Sequence, residues 1–332
     1  MPTIVDVPKA STLNRWLSRV PAPNRTAQLA VAIANLVVQI GIMVSGSVVR
    51  VTGSGLGCPT WPTCTSSSLV PVADPYNGQL HQWVEFGNRL FGIAVGVISV
   101  LIFLTVLAAK PLRRRYLVLA LMMPLGVVAQ AVIGGLTVLL KLAWWSVCLH
   151  FLPSPILVWI SVLIVQAVRE GDGPARPLLP KPLRGLLAVM ALDLTGLVVA
   201  GTLVTAAGPH AGDIHTPRLD LPITALVELH SDFLFVFLGM LAALLFAMRI
   251  TGGTPRLWRR YWILVGVIVA QGALGITQYE LGVPDVLVSF HVLGAALGIA
   301  AMAFLWCASR ERDALPAAPA TAPVPADEAA VA

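Results

Sequence analysis

Eight apolar runs separated by short polar stretches set the plan of this chain. They fall at residues 26–50, 84–109, 115–140, 144–168, 184–207, 222–248, 259–281 and 286–309. Each exceeds the roughly 20 residues that an α-helix needs to cross a hydrocarbon core. The pattern predicts an all-α, polytopic membrane protein with eight transmembrane helices. An even number of spans returns both termini to one side of the bilayer.

Composition agrees, with 57% apolar and only 11% charged residues, where soluble domains carry about 25% charged. The basic residues add an orientation. Eighteen of the 22 lysines and arginines lie in four segments and the tail. These are the arm 1–25 (Lys9, Arg15, Arg19, Arg25), the loop with Lys110, Arg113, Arg114 and Arg115, the linker 169–183 with its flank (Arg169, Arg176, Lys181, Arg184), and the loop with Arg249, Arg256, Arg259 and Arg260. The tail adds Arg310 and Arg312, leaving only Arg50, Arg89, Lys141 and Arg218 on the opposite side. The positive-inside rule therefore expects both termini in the cytoplasm and the chain in the cell membrane. The net charge of +6 is a topology signal, and no nucleic-acid partner is expected. Residues 1–25 are polar and basic, and the first apolar run is too long for a signal core, so no cleavable leader is expected. Residues 310–332 read as a disordered, Ala/Pro-rich tail.

The spans repeat. Gly46-Ser47-Val48-Val49 with Gly53 resembles Gly201-Thr202-Leu203-Val204 with Gly208, 155 residues on. Gln130, Gly134 and His150 recur 141 residues later as Gln271, Gly275 and His291, and Asn88 aligns with His230 at an offset of 142. Two pseudo-symmetric four-helix bundles follow, 26–168 and 184–309. With four spans in each half, they are related by an axis along the membrane normal.

The repeat gives the histidines a meaning. Asn88, His150, His230 and His291 each lie about five to nine residues inside the outer end of a span, roughly 7–13 Å deep at 1.5 Å per residue. A lone histidine on an apolar helix is usually a hydrogen-bonded core residue. Two in one half, repeated by position in the other, resemble the opposed imidazoles of a bis-histidine haem site in a bundle. No further carboxylate or thiolate stands at ligand spacing, which disfavours another transition metal. The second half offers His230 and His291, a closed pair suited to electron transfer. The first offers His150 with Asn88 in place of a second imidazole. A haem there would be five-coordinate, weakly ligated by Asn88, or reached by His81. If the second helix extends back to His81, then His81, Glu85 and Asn88 share one face, and ionisable groups at such a place are functional candidates.

The outer loop 51–83 carries Cys58-Pro59-Thr60-Trp61-Pro62-Thr63-Cys64. Outside the cytoplasm a close cysteine pair is expected to oxidise to a disulfide, as a plain staple or in a redox role. Cys148 and Cys307, within apolar runs, read as inert packing residues. The second outer loop, 208–221, holds His210 and His215, read as solvated. Asp193 is expected to bond a neighbouring helix, while Glu228 and Asp232 should turn away from His230. The spans read as unbroken, which argues against a transporter.

At these residues the chain resembles the haem A synthase family, eight-span enzymes that convert haem O to haem A. The resemblance covers about 26–309. It rests on Gly46 to Gly57, Cys58…Trp61-Pro62…Cys64, Glu85-x-x-Asn88-Arg89 and the three intramembrane histidines. It implies that His230 and His291 hold a haem b cofactor and that His150 faces the substrate haem O. It also implies that Glu85 is the essential acid and that Cys58 and Cys64 are outer-loop redox cysteines. Arg89 could pair with a haem propionate or snorkel to the interface. Many members have histidine where this chain has Asn88, and His81 is then the candidate substitute. The implied reaction oxidises a haem methyl in two successive hydroxylations to a formyl group, for use by cytochrome oxidase. Implied partners are a membrane haem O synthase and oxidase assembly factors, within a lipid bilayer, and a homo-oligomer is compatible with the sequence. The rival reading is a membrane b-type cytochrome between quinone and an outer-side acceptor, which would want two complete histidine pairs.

Overall fold

A computed structural model describes residues 21–72 and 79–313. The arm residues Lys9, Arg15 and Arg19, part of the first outer loop and the tail from 314 lie outside the described residues. Among the described residues nine helices run in chain order: α1 (Arg25–Val51), α2 (Gln79–Leu107), α3 (Arg114–Leu139), α4 (Trp144–Phe151), α5 (Pro153–Ala167), α6 (Lys181–Ala207), α7 (Ile223–Thr251), α8 (Pro255–Glu280) and α9 (Asp285–Ala308). Counting α4 and α5 as one span, eight helices among the described residues are long and apolar enough to cross a membrane. The architecture is all-α and polytopic, as the apolar runs predict.

Local chemistry sets the helix ends. Asn24 accepts a hydrogen bond from the Ala27 N–H at 2.8 Å, capping α1. Thr254 does the same for Leu257 at 3.2 Å, with Pro255 at the first helical position of α8, where its missing N–H costs nothing. The fourth span departs from the expected unbroken helix. It is interrupted at Leu152, between α4 and α5. Pro153 and Pro155 lack the amide hydrogens that would bond back one turn, and the break falls two residues after His150. The corresponding α9 has Gly294 where the first half has Pro153, and it is continuous.

Apolar side chains cover the outside, with Leu192 72% and Ile250 85% exposed, as suits a surface facing lipid rather than water. Inside, α1, α5 and α9 meet along the seam between the halves. Met43, Val158, Ala296 and Met302 are buried there within one cluster. Polar links register the first half: Asn35 Nδ2 donates to Ser161 Oγ at 2.9 Å, and Gln39 Nε2 to Ser99 Oγ at 3.4 Å. With little hydrophobic drive between helices in lipid, such bonds and close packing carry the association.

At the basic face the linker and the start of the tail are ordered together. Arg176–Pro177 (β1) pairs antiparallel with Arg310–Glu311 (β2), so residues 310–313 are structured rather than part of a disordered tail. Arg113 donates to the Glu170 carbonyl and to the Ala167 carbonyl at 2.7 Å. Arg256 lies 3.8 Å from the Glu170 carboxylate. Glu170 thus gathers basic residues from two loops that topology brings to one side.

At the opposite face the two outer loops dock. Arg50, at the end of α1, donates to the Thr205 carbonyl at 2.9 Å and the His210 carbonyl at 2.6 Å. The Gly55 N–H reaches the Gly212 carbonyl at 2.8 Å. Gly53 and Gly212 take positive φ values of 66° and 93°, which only glycine adopts without strain. His210 is not solvated: its Nε2 lies 2.9 Å from the Val283 carbonyl and its Nδ1 3.4 Å from Asp285. His215 is exposed.

Candidate functional site

Helix α2 begins at Gln79, so His81, Glu85 and Asn88 do belong to one helix. Their side chains nevertheless part company. His81 is exposed at the first turn. Asn88 turns toward α1, where the Ser45 hydroxyl donates to its Oδ1 at 2.7 Å. Glu85 is only 4% exposed and reaches up into the disulfide loop. Its Oε2 accepts from the Cys58 N–H at 2.6 Å, and its Oε1 accepts from Arg89 NH2 at 2.6 Å and Nε at 3.2 Å.

Arg89 completes a clasp. Beyond Glu85 it donates to the carbonyls of Cys58 at 2.8 Å, Thr60 at 3.0 Å and Thr63 at 3.1 Å. All three of its nitrogens are used within the protein. Cys58 and Cys64 form a disulfide, and both are fully buried. The loop they close sits over the first half, where a methyl group added at Gly135 of α3 would stand within 3 Å of the Trp61 indole. Gly57 packs so closely on the His81 carbonyl that no side chain fits there. An ion pair buried under a cross-linked loop is satisfied at nearly every polar atom, the condition for a buried charge to persist.

The histidines share a different motif, which sequence reasoning missed. Each lies on a glycine of the preceding helix. A methyl added at Gly134 would stand 2.9 Å from His150 Cε1, at Gly201 3.0 Å from His230 Cε1, and at Gly275 3.1 Å from His291 Cε1. The signal was present in the constant spacing of Gly134 to His150 and Gly275 to His291. Read as a repeat marker, the glycine hid its role as the floor under an imidazole.

In the second half the two imidazoles are brought together. The His230 and His291 ring centres stand 6.2 Å apart. A ligating imidazole nitrogen sits about 2 Å from its metal and roughly 1.1 Å from its own ring centre, so two rings sharing one metal stand about 6 Å apart. His230 Nδ1 lies 2.9 Å from the Leu197 carbonyl. As the donor it leaves Nε2 for a metal, the usual outer-shell arrangement of a histidine ligand. Among the described residues His291 Nδ1 and His150 Nδ1 are buried without a partner, an arrangement that costs free energy unless a ligand or water completes it. The residues therefore fit a planar metal macrocycle between His230 and His291. Glu228 and Asp232 are both exposed, turned away from this pair as expected. Among the described residues no group of three or more His, Cys, Asp or Glu forms an alternative metal site.

Two further expectations meet the structure here. Asp193 does not bond a neighbouring helix, since its Oδ2 is buried with no partner among the described residues. Cys148 and Cys307 are buried and unpaired, in keeping with packing roles.

Residues 29–215 match the model of the COX15-CtaA family, described as cytochrome oxidase assembly protein. The heme A synthase of Geobacillus thermodenitrificans is 35% identical over 138 residues, 40% of this chain and 41% of that protein. That of Geobacillus kaustophilus is 32% identical over 139 residues, again 41% of its length. The heme A synthase of Halalkalibacterium halodurans is 27% identical over 259 residues, 74% of this chain and 82% of that protein. The Geobacillus matches thus span about two fifths of each relative, whereas the Halalkalibacterium match extends across both halves.

Proposed function

Because the chain belongs to the COX15-CtaA family of cytochrome oxidase assembly proteins, we propose that it is a haem A synthase. It oxidises one methyl group of haem O to a formyl group by two successive hydroxylations, water giving the oxygen and four electrons passing to an acceptor outside the chain, yielding haem A for cytochrome oxidase. The observation that carries this reading is the His230–His291 pair at 6.2 Å, beside a related half in which Asn88 stands at the position of His230 and the buried Glu85 lies one turn away. His230 and His291 hold haem b, which supplies one-electron transfer when bound. The substrate haem O lies in the first half, ligated by His150.

Oxidation at a methyl carbon conjugated with the porphyrin leaves positive character on that carbon. Glu85 supplies a fixed negative charge near the mouth of the site, and such prearranged charge lowers the barrier without reorganisation. Each carboxylate oxygen accepts at more than one position. Oε2, with one bond from Cys58, keeps capacity to take the proton of an incoming water. Arg89 fixes the carboxylate and the loop together, a positioning role. Its occupied nitrogens favour that role over binding a propionate.

The basic face, which carries Glu170 and its arginines, is the cytoplasmic one, and both termini lie there. The chain works in the cell membrane, next to a haem O synthase and oxidase assembly factors. A b-type cytochrome would leave Glu85 and the disulfide loop without a task and would lack one of its four ligands at Asn88. Extracted pigments decide the matter. Cells making haem O and this protein should accumulate haem A, and Glu85→Ala should abolish it with haem b still bound. Haem A persisting in that variant would defeat the assignment.

A further inference from the structure

The first half keeps the fittings of a histidine ligand at Asn88 but not the histidine. In the second half, His230 lies on Gly201, has Ala200 one residue before that glycine, and sits 2.9 Å from the Leu197 carbonyl. The repeat offset of 155 carries these three positions to Gly46, Ser45 and Ile42 of α1. The floor glycine is therefore retained, and Ser45 replaces Ala200. The Ser45 hydroxyl lies 3.2 Å from the Ile42 carbonyl, the position an imidazole N–H would have used. The same hydroxyl donates to Asn88 Oδ1 at 2.7 Å. The serine and the asparagine thus satisfy each other across α1 and α2, and the amide is drawn to Ser45.

What remains is room. The three other floor glycines each carry an imidazole within about 3 Å of where a methyl would stand, but at Gly46 nothing lies within 4 Å among the described residues. His81 is badly placed to fill this position. It is seven residues earlier on α2, about 10 Å farther out at 1.5 Å per residue, and its side chain is exposed.

We infer that the space bounded by Gly46, Ser45 and Asn88 is a binding position for a small uncharged ligand, water or a diatomic gas, on the face of the first-half porphyrin opposite His150. The inference rests on the proposal above that this half holds a porphyrin. The space is bordered by two uncharged groups, the Ser45 hydroxyl and the Asn88 amide. Neither group carries a full charge that would hold an ion. The closed pair His230–His291 has no such position, so the two halves differ in what their irons can bind.

The test uses the whole protein purified from cells supplying haem O, with haems counted after extraction and carbon monoxide as the probe. The expected result is two haems and one carbon monoxide per chain, read in the reduced difference spectrum. The double change Ser45→Ala with Asn88→His rebuilds the second-half fittings and should abolish carbon monoxide binding while keeping two haems. Gly46→Val should weaken carbon monoxide at least tenfold with the haem count unchanged, and it does not depend on the double variant folding. Asn88→Ala should leave the probe bound. Two haems with no carbon monoxide binding would overturn the inference, and gain of binding in His81→Ala would then identify His81 as the occupant. A count of one haem per chain would instead remove the first-half porphyrin, and the inference with it.

Discussion

The two halves share a scaffold and divide its uses. In the second, two imidazoles face each other at 6.2 Å, over continuous α9. In the first, one imidazole remains on a span broken at Leu152, and its counterpart is an amide bonded to Ser45. The outer loops differ in the same sense. The first is cross-linked by Cys58–Cys64 and clasped by Glu85 and Arg89, while the second has no cysteines and is held through His210. The backbones of α2 and α3 approach closely, whereas those of α7 and α8 stand farther apart and are linked by side chains, the Tyr261 hydroxyl donating to the Leu241 carbonyl at 2.9 Å. A symmetric cofactor site needs two equal ligands and little else. On the proposed function the first half is the reactive site, which needs an acid, a cover and an open approach, and each of its departures from the second half would supply one of these.

The sharpest way to break this comparison is to remove a ligand from each half. His230→Ala should lower bound haem b at least tenfold, since even an outer-shell change at a metal histidine typically costs 10–100-fold. His150→Ala should leave haem b in place. Equal loss from both variants, measured by the pyridine haemochrome spectrum, would mean that the halves are not separate sites.

Next in size is the acid. Glu85→Gln should reduce haem A formation by about 10²–10⁴-fold, the usual range for a positioned general base. The amide oxygen still accepts from the Cys58 N–H and Arg89 keeps the carbonyls of Cys58, Thr60 and Thr63, so the loop should stay folded and haem b bound. Loss of haem b in this variant would mean that Glu85 is a structural post and nothing more.

Arg89→Ala probes the cover. It strips the partner from a carboxylate that is 6% exposed at its side chain, and breaking a buried pair by removing one member typically costs about 3–5 kcal/mol. Limited proteolysis should cut the first outer loop faster. His210→Ala in the second loop removes a hydrogen bond to the Val283 carbonyl worth about 1 kcal/mol and a contact with Asp285, whose side chain is 55% exposed, and should change its cleavage far less.

These contrasts show how much was written in the chain. The eight spans were legible because lipid demands long apolar runs, and all begin and end within a few residues of the pattern. The histidine positions and the repeat were legible because 141 and 142 residues separate equivalents. The break at Leu152 could have been read from Pro153 and Pro155, but a run of apolar residues masks a missing hydrogen bond. The direction of Glu85 was not legible. Helical spacing puts it on one face with Asn88, and only the folded loop reveals a backbone N–H from Cys58 waiting above it. The same holds for Arg89, whose partners are carbonyls and leave no mark on side-chain identity. His210 looked solvated because Val283 and Asp285, its partners, lie some seventy residues away.

The smallest expected effects come from the four floor glycines, and they test the asymmetry most directly. Glycine to alanine inside a helix is favourable by up to about 1 kcal/mol where the methyl has room. At Gly134, Gly201 and Gly275 it has none, because a ring carbon lies 2.9–3.1 Å away, and forcing a methyl into such packing costs about 1–3 kcal/mol. Each imidazole would have to slide off its floor, so Gly201→Ala and Gly275→Ala should weaken haem b retention. At Gly46 the methyl meets nothing within 4 Å, and the helix should gain a little stability in thermal unfolding with haem b unaffected. The sign alone is diagnostic. If Gly46→Ala proves as damaging as its three counterparts, the position beside Asn88 is already filled, and the halves are more alike than their ligands suggest.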